Sequence, residues 1–225
     1  MLITIPGLLD PDALAGIRTS LETVGWRDGR ITAGVQAARV KSNRQADLST
    51  RTGAELHRRL YDAITGNAIF EAAAQPRKLS KLMVSRTGEG EGYGTHVDNV
   101  LMGSGDTRIR TDISFTLFLS DPQDYDGGEL TIDWAGMVHS MKLDAGSLLL
   151  YPSTSLHRVE TVTRGERMVC VGWVESLVRT AEQREILFDL ANLRANLSKS
   201  LPIEAPEQLA LAKITANIRR LWTNS

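Results

Sequence analysis

Four polar side chains have the types and spacing to do chemistry. His96 and Asp98 lie two apart in Gly94-Thr95-His96-Val97-Asp98-Asn99. On a strand, side chains two apart leave the same face, so an imidazole and a carboxylate project together. His157 follows in Ser155-Leu156-His157-Arg158-Val159, and Arg167 comes ten residues later. Two imidazoles and one carboxylate form a facial donor set for ferrous iron that leaves one side of the metal open. Both imidazoles must be neutral to bind, and the carboxylate offsets part of the metal charge. Arg suits the far carboxylate of a co-substrate, because its planar fork offers paired donors that Lys lacks.

Other candidates have weaker patterns. His57 falls on a helical stretch and His139 lacks a partner pattern, so both read as surface residues. Asp112, Glu129, Asp133 and Glu175 compete as carboxylates without a matching imidazole. Thr87-Gly88-Glu89-Gly90-Glu91-Gly92 is glycine-rich but has no Lys and no following helix, which excludes a phosphate-binding loop.

Three segments carry a family resemblance: Gly94 to Asn99, Asp126-Gly127-Gly128-Glu129-Leu130, and His157 to Arg167. Together they resemble the PKHD-type hydroxylases, bacterial Fe(II)/2-oxoglutarate oxygenases related to prolyl 4-hydroxylase. The resemblance covers most of the chain and is strongest from about Leu82 to Ser176. It implies a dioxygenase that hydroxylates a peptidyl or amino-acid side chain, with succinate and CO2 as co-products. It implies His96, Asp98 and His157 as ligands of Fe(II), and Arg167 as the residue holding 2-oxoglutarate. It also implies L-ascorbate as reductant and a link to iron uptake, and it makes Glu129 structural. Arg86, Thr87, Tyr93, Asn99, Ser114, Val169 and Trp173 are further pocket candidates. One departure stands out: the family carries Arg-Tyr where this chain has Arg86-Thr87, so a tyrosine hydroxyl near the co-substrate is replaced by a shorter one.

The elements that must position these residues are mainly β. Asp10-Pro11 opens a helix over about 10–24, and further helices are expected over 48–64 and 67–73. Residues 32–43 show no clear period. From about Leu79 strand patterns take over: 82–85, a half-buried alternating strand over 111–120, then 129–134, 138–143, 147–151, 158–162 and 167–175. Residues 121–128 read as a loop, and 144–146 and 163–166 as tight turns. So many short strands around a metal site predict a double-stranded β-helix, or jelly roll, with the N-terminal helices packed outside. Parity on the last strand turns Arg167, Val169, Val171 and Trp173 inward and Met168, Cys170, Gly172 and Val174 outward. Loops 88–92, 101–110 and 121–126 are expected to frame the entrance, with Arg108 and Arg110 exposed. Two apolar-striped helices, 181–197 and 206–222, form a C-terminal hairpin that covers the barrel or joins subunits into a homo-oligomer. The expected division is an oxygenase domain over 1–177 and a helical appendage over 178–225.

Composition sets outer bounds. The 225 residues, 42% hydrophobic, suit one domain with a sizeable core. A net charge of -1 argues against a general nucleic-acid binder. No apolar run approaches the ~20 residues needed to span a bilayer, and residues 1–5 do not read as a signal peptide. The single Cys170 fits a reducing cytoplasm and reads as a small buried hydrophobe. Besides O2, 2-oxoglutarate and an unidentified substrate, no partner is implied. Two competing readings use the same ligands: a cupin-like metal-binding sensor without turnover, and a Zn hydrolase.

Overall fold

The computed structural model describes residues 1–32 and 39–223, so part of the aperiodic stretch 32–43 lies outside the described residues. The helices begin where the caps are. Asp10 accepts from the Ala13 amide at 2.8 Å and starts α1 (Pro11–Thr23). Thr50 accepts from the Gly53 amide at 3.1 Å ahead of α2 (Arg51–Thr65). Asn67 accepts from the Ile69 and Phe70 amides, both at 3.0 Å, ahead of α3 (Ala68–Ala74). Thr180 caps α4 (Ala181–Leu197), and Pro206 opens α5 (Pro206–Trp222).

Short strands fill the space between. In chain order the first are β1 (Ile3–Ile5), β2 (Trp26–Asp28), β3 (Lys41–Ser42), β4 (Arg44–Ala46), β5 (Pro76–Leu79), β6 (Met83–Thr87) and β7 (Gly92–His96). A small hairpin, β8 (Leu101–Met102) and β9 (Ile109–Arg110), precedes β10 (Ile113–Phe118). Then follow β11 (Tyr125–Gly127), β12 (Leu130–Trp134), β13 (Met137–Met141), β14 (Leu148–Pro152), β15 (Leu156–Val159), β16 (Val162–Gly165) and β17 (Arg167–Ser176). All described pairings are antiparallel, which suits short strands joined by turns.

Two sheets result. The larger runs β1-β14-β10-β17-β6-β4-β2, with β5 beside β17, and the smaller runs β13-β12-β15-β7-β3. They face one another across an apolar cluster of Phe118, Leu130, Ile132, Leu149 and Val169. The larger sheet's outer face carries a second cluster in which Phe115, Leu117, Cys170 and Val174 meet Ile17, Leu56, Leu60 and Phe70 of the N-terminal helices. The N-terminal helices therefore do pack outside a β-core. The sheets remain separate and do not close into a barrel. α4 packs on both α3 and α5, and the buried Arg184 donates to the Val178 and Arg179 carbonyls at the root of that helix pair.

Three local expectations need correction. The strand over 111–120 is not half-buried: every residue of β10 is buried, because its polar side faces the space between the sheets and its apolar side faces helices. The loop over 121–128 and the turn over 163–166 contain β11 and β16, which pair with each other. Strands β2 to β5 went unread because each is two to four residues long.

Candidate metal centre

The cleft between the sheets brings the predicted residues together. His96 ends β7, and Asp98 lies two residues beyond that strand. His157 lies on β15, directly opposite His96 in the sheet register. One ligand atom from each of His96, Asp98 and His157 lies within 4.8 Å of the others. His157 Nε2 stands 3.8 Å from Asp98 Oδ1, and both side chains are under 10% exposed.

Local hydrogen bonds aim these atoms. His96 Nδ1 donates to the Gly94 carbonyl at 2.8 Å, and His157 Nδ1 donates to the Ser155 carbonyl at 3.0 Å. Each bond ties up Nδ1 and leaves Nε2 as the free lone pair, which is how histidines that bind a metal are commonly oriented. Asp98 Oδ2 accepts from Ser114 Oγ at 2.6 Å, and that hydroxyl lies 2.7 Å from Ser153 Oγ. One carboxylate oxygen is thereby fixed on β10, leaving Oδ1 toward His157. Burial, with the neighbouring His157, pushes His96 down to about 4, so its imidazole is neutral and able to ligate at pH 7. Tyr93 stacks on the His96 ring at 3.7 Å between centroids and locks its orientation. Burial raises the Tyr93 phenol to about 12, so it stays protonated. The donor set therefore fits a ferrous ion in number, type and freedom of the ligating atoms.

The other end of the cleft holds Arg167, which is 3% exposed. Its guanidinium lies 5.6 Å from the Phe118 ring, and its Nε has no hydrogen-bond partner among the described residues. The Tyr125 hydroxyl is likewise buried without a partner. A buried cation is costly, and burial accordingly lowers the Arg167 pKa, although the Tyr125 and Tyr151 phenols act in its favour. The arrangement fits an anion brought in from the cleft. Gly127 and Gly128 let the chain between β11 and β12 pack close to β16 and to the Arg167 side chain. A Cβ on Gly127 would lie 2.1 Å from the Thr161 carbonyl, and one on Gly128 would lie 3.1 Å from Arg167 Cδ. Both glycines have positive φ, which L side chains resist.

The description 2OG-Fe(II) oxygenase superfamily matches residues 82–175. A PKHD-type hydroxylase of Hyphomonas neptunium is 49% identical over 223 residues, covering 99% of this chain and 100% of that protein. PKHD-type hydroxylase YbiX of Escherichia coli is 44% identical over 224 residues, covering 99% of each. The chain belongs to the PKHD-type hydroxylases. It is an Fe(II)/2-oxoglutarate-dependent dioxygenase. A prolyl-4-hydroxylase of Pseudomonas putida is similar at TM-score 0.54 and 18% identity, over 78% of this chain and 92% of that one. A prolyl hydroxylase of Trichoplax adhaerens is similar at TM-score 0.58 and 16% identity, over 83% and 86%. At such identities the likeness shows the fold, a double-stranded β-helix.

The remaining sequence candidates divide. Thr87, Tyr93, Asn99, Val169 and Trp173 line the cleft of this dioxygenase, as does Val171. Thr87 is paired with Arg167 in the sheet register and is buried. Ser114 acts from behind Asp98. Arg86 is not in the cleft: Ser85 and Thr87 face inward, so Arg86 faces out, 4.8 Å over the Trp26 ring and 3.6 Å from Glu166. Of the three loops expected at the entrance, only 101–110 contributes, through Met102. Arg110 is held by Asp112 at 2.7 Å, which occupies its charge locally.

Lys41, Asn43, Gln45, Met83, Thr116 and Tyr151 also line the cleft and were not anticipated. Thr116 and Tyr151 carried a readable signal, since each is polar within an otherwise buried strand. Lys41 to Gln45 lie in a stretch with no periodicity to read.

Proposed function

We propose that the hydroxylase inserts one oxygen atom of O2 into a C–H bond of a peptidyl or free amino-acid side chain. The other oxygen atom enters succinate as 2-oxoglutarate loses CO2. His96, Asp98 and His157 hold the iron, which supplies the oxygen chemistry when bound. Arg167 grips the far carboxylate of 2-oxoglutarate with its paired donors. The reading is carried by one observation: a buried guanidinium with an unpartnered Nε shares a cleft with a triad whose Nε2 atoms are free.

The residues have separable tasks. The carbonyl-bound Nδ1 atoms keep each histidine in the ligating tautomer. Ser114 occupies Asp98 Oδ2, which would leave Oδ1 to hold the metal. Val169, Val171 and Leu130 wall the space between the two ends with apolar surface, which excludes water from the reacting groups. Tyr151 bridges the ends, its ring 5.3 Å from His157 and its phenol acting on the Arg167 charge. Ascorbate as reductant and the cytoplasm as compartment complete the reading, supported by the family and by the single, buried Cys170.

The test is succinate formation. Activity that requires Fe(II) and O2, and that is abolished by His96→Ala and Asp98→Ala, is the expected outcome. Full activity in either variant overturns the assignment. Metal binding with no succinate from any tested substrate favours the sensor reading.

A further inference from the structure

Arg167 Nε and the Tyr125 hydroxyl are both buried without a hydrogen-bond partner among the described residues, and they belong to neighbouring side chains. A Cβ built on Gly128 would lie 3.1 Å from both Arg167 Cδ and Tyr125 Cε2. Cδ carries Nε, and Cε2 adjoins the ring carbon that bears the hydroxyl. The two unpartnered atoms therefore hang close to one shared contact. Each group also feels the other. Burial raises the Tyr125 pKa, and the Arg167 charge acts against that rise. Burial lowers the Arg167 pKa, and Tyr125 opposes that more than Tyr151 or Glu129 does. A donor and an acceptor left apart in such a place each cost their desolvation with nothing in return.

The two side chains differ in freedom. Tyr125 is fully buried and starts β11, where it pairs with Gly165. Lys142 donates to the Tyr125 carbonyl at 2.6 Å and sets its ammonium 4.2 Å from the ring centroid. The ring is thus held by its backbone and by one face. The far end of Arg167 is held less firmly. Its guanidinium lies 5.6 Å from the Phe118 ring, and a ring face attracts a cation without fixing the rotation of its fork. The guanidinium is planar, so whatever orients Nε–H orients both terminal nitrogens with it. Arg167 lines the cleft, whereas Tyr125 is not among its lining residues. The phenol therefore meets Arg167 and not the molecule that Arg167 receives.

We propose that Tyr125 is the positioning residue for Arg167: as the co-substrate draws on the terminal nitrogens, the phenolic oxygen accepts from Nε–H and sets the plane in which the fork meets the far carboxylate of 2-oxoglutarate. The inference rests on the reading that Arg167 takes 2-oxoglutarate. A pinned phenol suits this task, because it offers an acceptor without a competing negative charge that would repel the diacid.

Isothermal titration of N-oxalylglycine into the Zn(II)-loaded protein tests it, because this analogue keeps both carboxylates of 2-oxoglutarate and does not turn over. Tyr125→Phe removes the hydroxyl and keeps the ring that Lys142 covers. It is expected to weaken N-oxalylglycine binding about tenfold, the scale of one charge-assisted bond, with Zn(II) affinity unchanged. Arg167→Met is expected to weaken it about 100-fold, and Tyr125→Phe added to Arg167→Met to cost nothing more. In NMR spectra of protein with isotope-labelled arginine, the Nε–H signal absent from Arg167→Met identifies Arg167. That signal is expected to move downfield on N-oxalylglycine binding in the wild type and much less in Tyr125→Phe. Wild-type affinity in Tyr125→Phe, a further loss in the double variant, an equal loss of Zn(II) affinity, or a signal that moves alike in both proteins each overturn the proposal. If Arg167→Met is weakened and Tyr125→Phe is not, only the Tyr125 proposal fails. If Arg167→Met binds as the wild type does, the 2-oxoglutarate reading fails and takes the Tyr125 proposal with it.

Discussion

The two ends of the cleft are built in opposite ways. At the metal end, aim comes from short-range bonds: each histidine donates to the carbonyl two residues before it, and Asp98 leans on one hydroxyl. At the Arg167 end, position comes from long-range pairing: β17 against β6, and the β11–β12 corner folded close beneath the side chain. At the first end each ligand is held through its other polar atom, Nδ1 of both histidines and Oδ2 of Asp98. The second holds a buried cation and a buried phenol with polar atoms left unpartnered. The difference teaches that the metal end is pre-aimed by local geometry, whereas the Arg167 end is a buried charge positioned by the long-range pairing of the fold.

The strongest way to break this comparison is to remove a group from each end. His157→Ala takes a ligand from a site that offers three, and turnover is expected to fall by at least about a thousandfold, with metal binding lost in equilibrium dialysis. Arg167→Met should act differently. Its KM for 2-oxoglutarate is expected to rise by about 100-fold, equivalent to roughly 3 kcal/mol of lost charge-assisted bonding. Yet without 2-oxoglutarate it should melt no lower than the wild type, because an apolar side chain replaces an uncompensated buried charge. Adding 2-oxoglutarate should raise the melting temperature of the wild type and not of the variant. A large loss of stability in free Arg167→Met would show that the guanidinium is already satisfied.

The same contrast explains what could be read in the chain. His96, Asp98 and His157 were legible because their aim depends on neighbours one or two residues away and on strand parity. Parity also found Arg167, Val169, Val171 and Trp173 on one face and Cys170 on the other. It would have turned Arg86 outward as well, had Thr87 been recognised as the residue opposite Arg167. Thr116 misled in a different way: on a strand buried on both faces, the polar side marks the cleft and not solvent. Lys41 and Gln45 were beyond reach, since β3 and β4 are too short to show a period and take their places from pairing with β7, β6 and β2.

A smaller effect sharpens the metal end. Ser114→Ala frees Asp98 Oδ2, and metal affinity is expected to drop by about 10- to 100-fold, the usual reach of an outer-shell partner. Titration of Fe(II) under anaerobic conditions reads it. Ser114→Thr keeps the hydroxyl and should recover most of the affinity. An unchanged affinity in Ser114→Ala would mean that Asp98 is aimed by its backbone alone.

Acid should expose the same pre-aiming in the metal-free protein. His96 is held down to about 4, well below the ordinary imidazole value. Between those two values the unfolded chain binds a proton at this position that the folded chain refuses. Stability therefore falls as pH drops from about 6.5 toward 4 and is flat with respect to His96 above that window. Melting curves at stepped pH measure the slope, and His96→Gln should flatten it. A slope unchanged by that substitution would place the acid sensitivity elsewhere.

The smallest expected effect belongs to the Arg167 end. Gly128→Ala forces a side chain into positive φ and sets its Cβ about 3 Å from the Arg167, Tyr125 and Val162 side chains. A cost of about 1–3 kcal/mol in stability follows from the backbone strain and the crowding. Because the intruding methyl meets Arg167 at Cδ, near the middle of the side chain, the guanidinium must shift with it. The KM for 2-oxoglutarate should therefore rise while Fe(II) affinity holds, a split that chemical denaturation combined with the two titrations resolves. Equal losses in both would show that the two ends of the cleft are mechanically one, and that the division drawn between them does not exist.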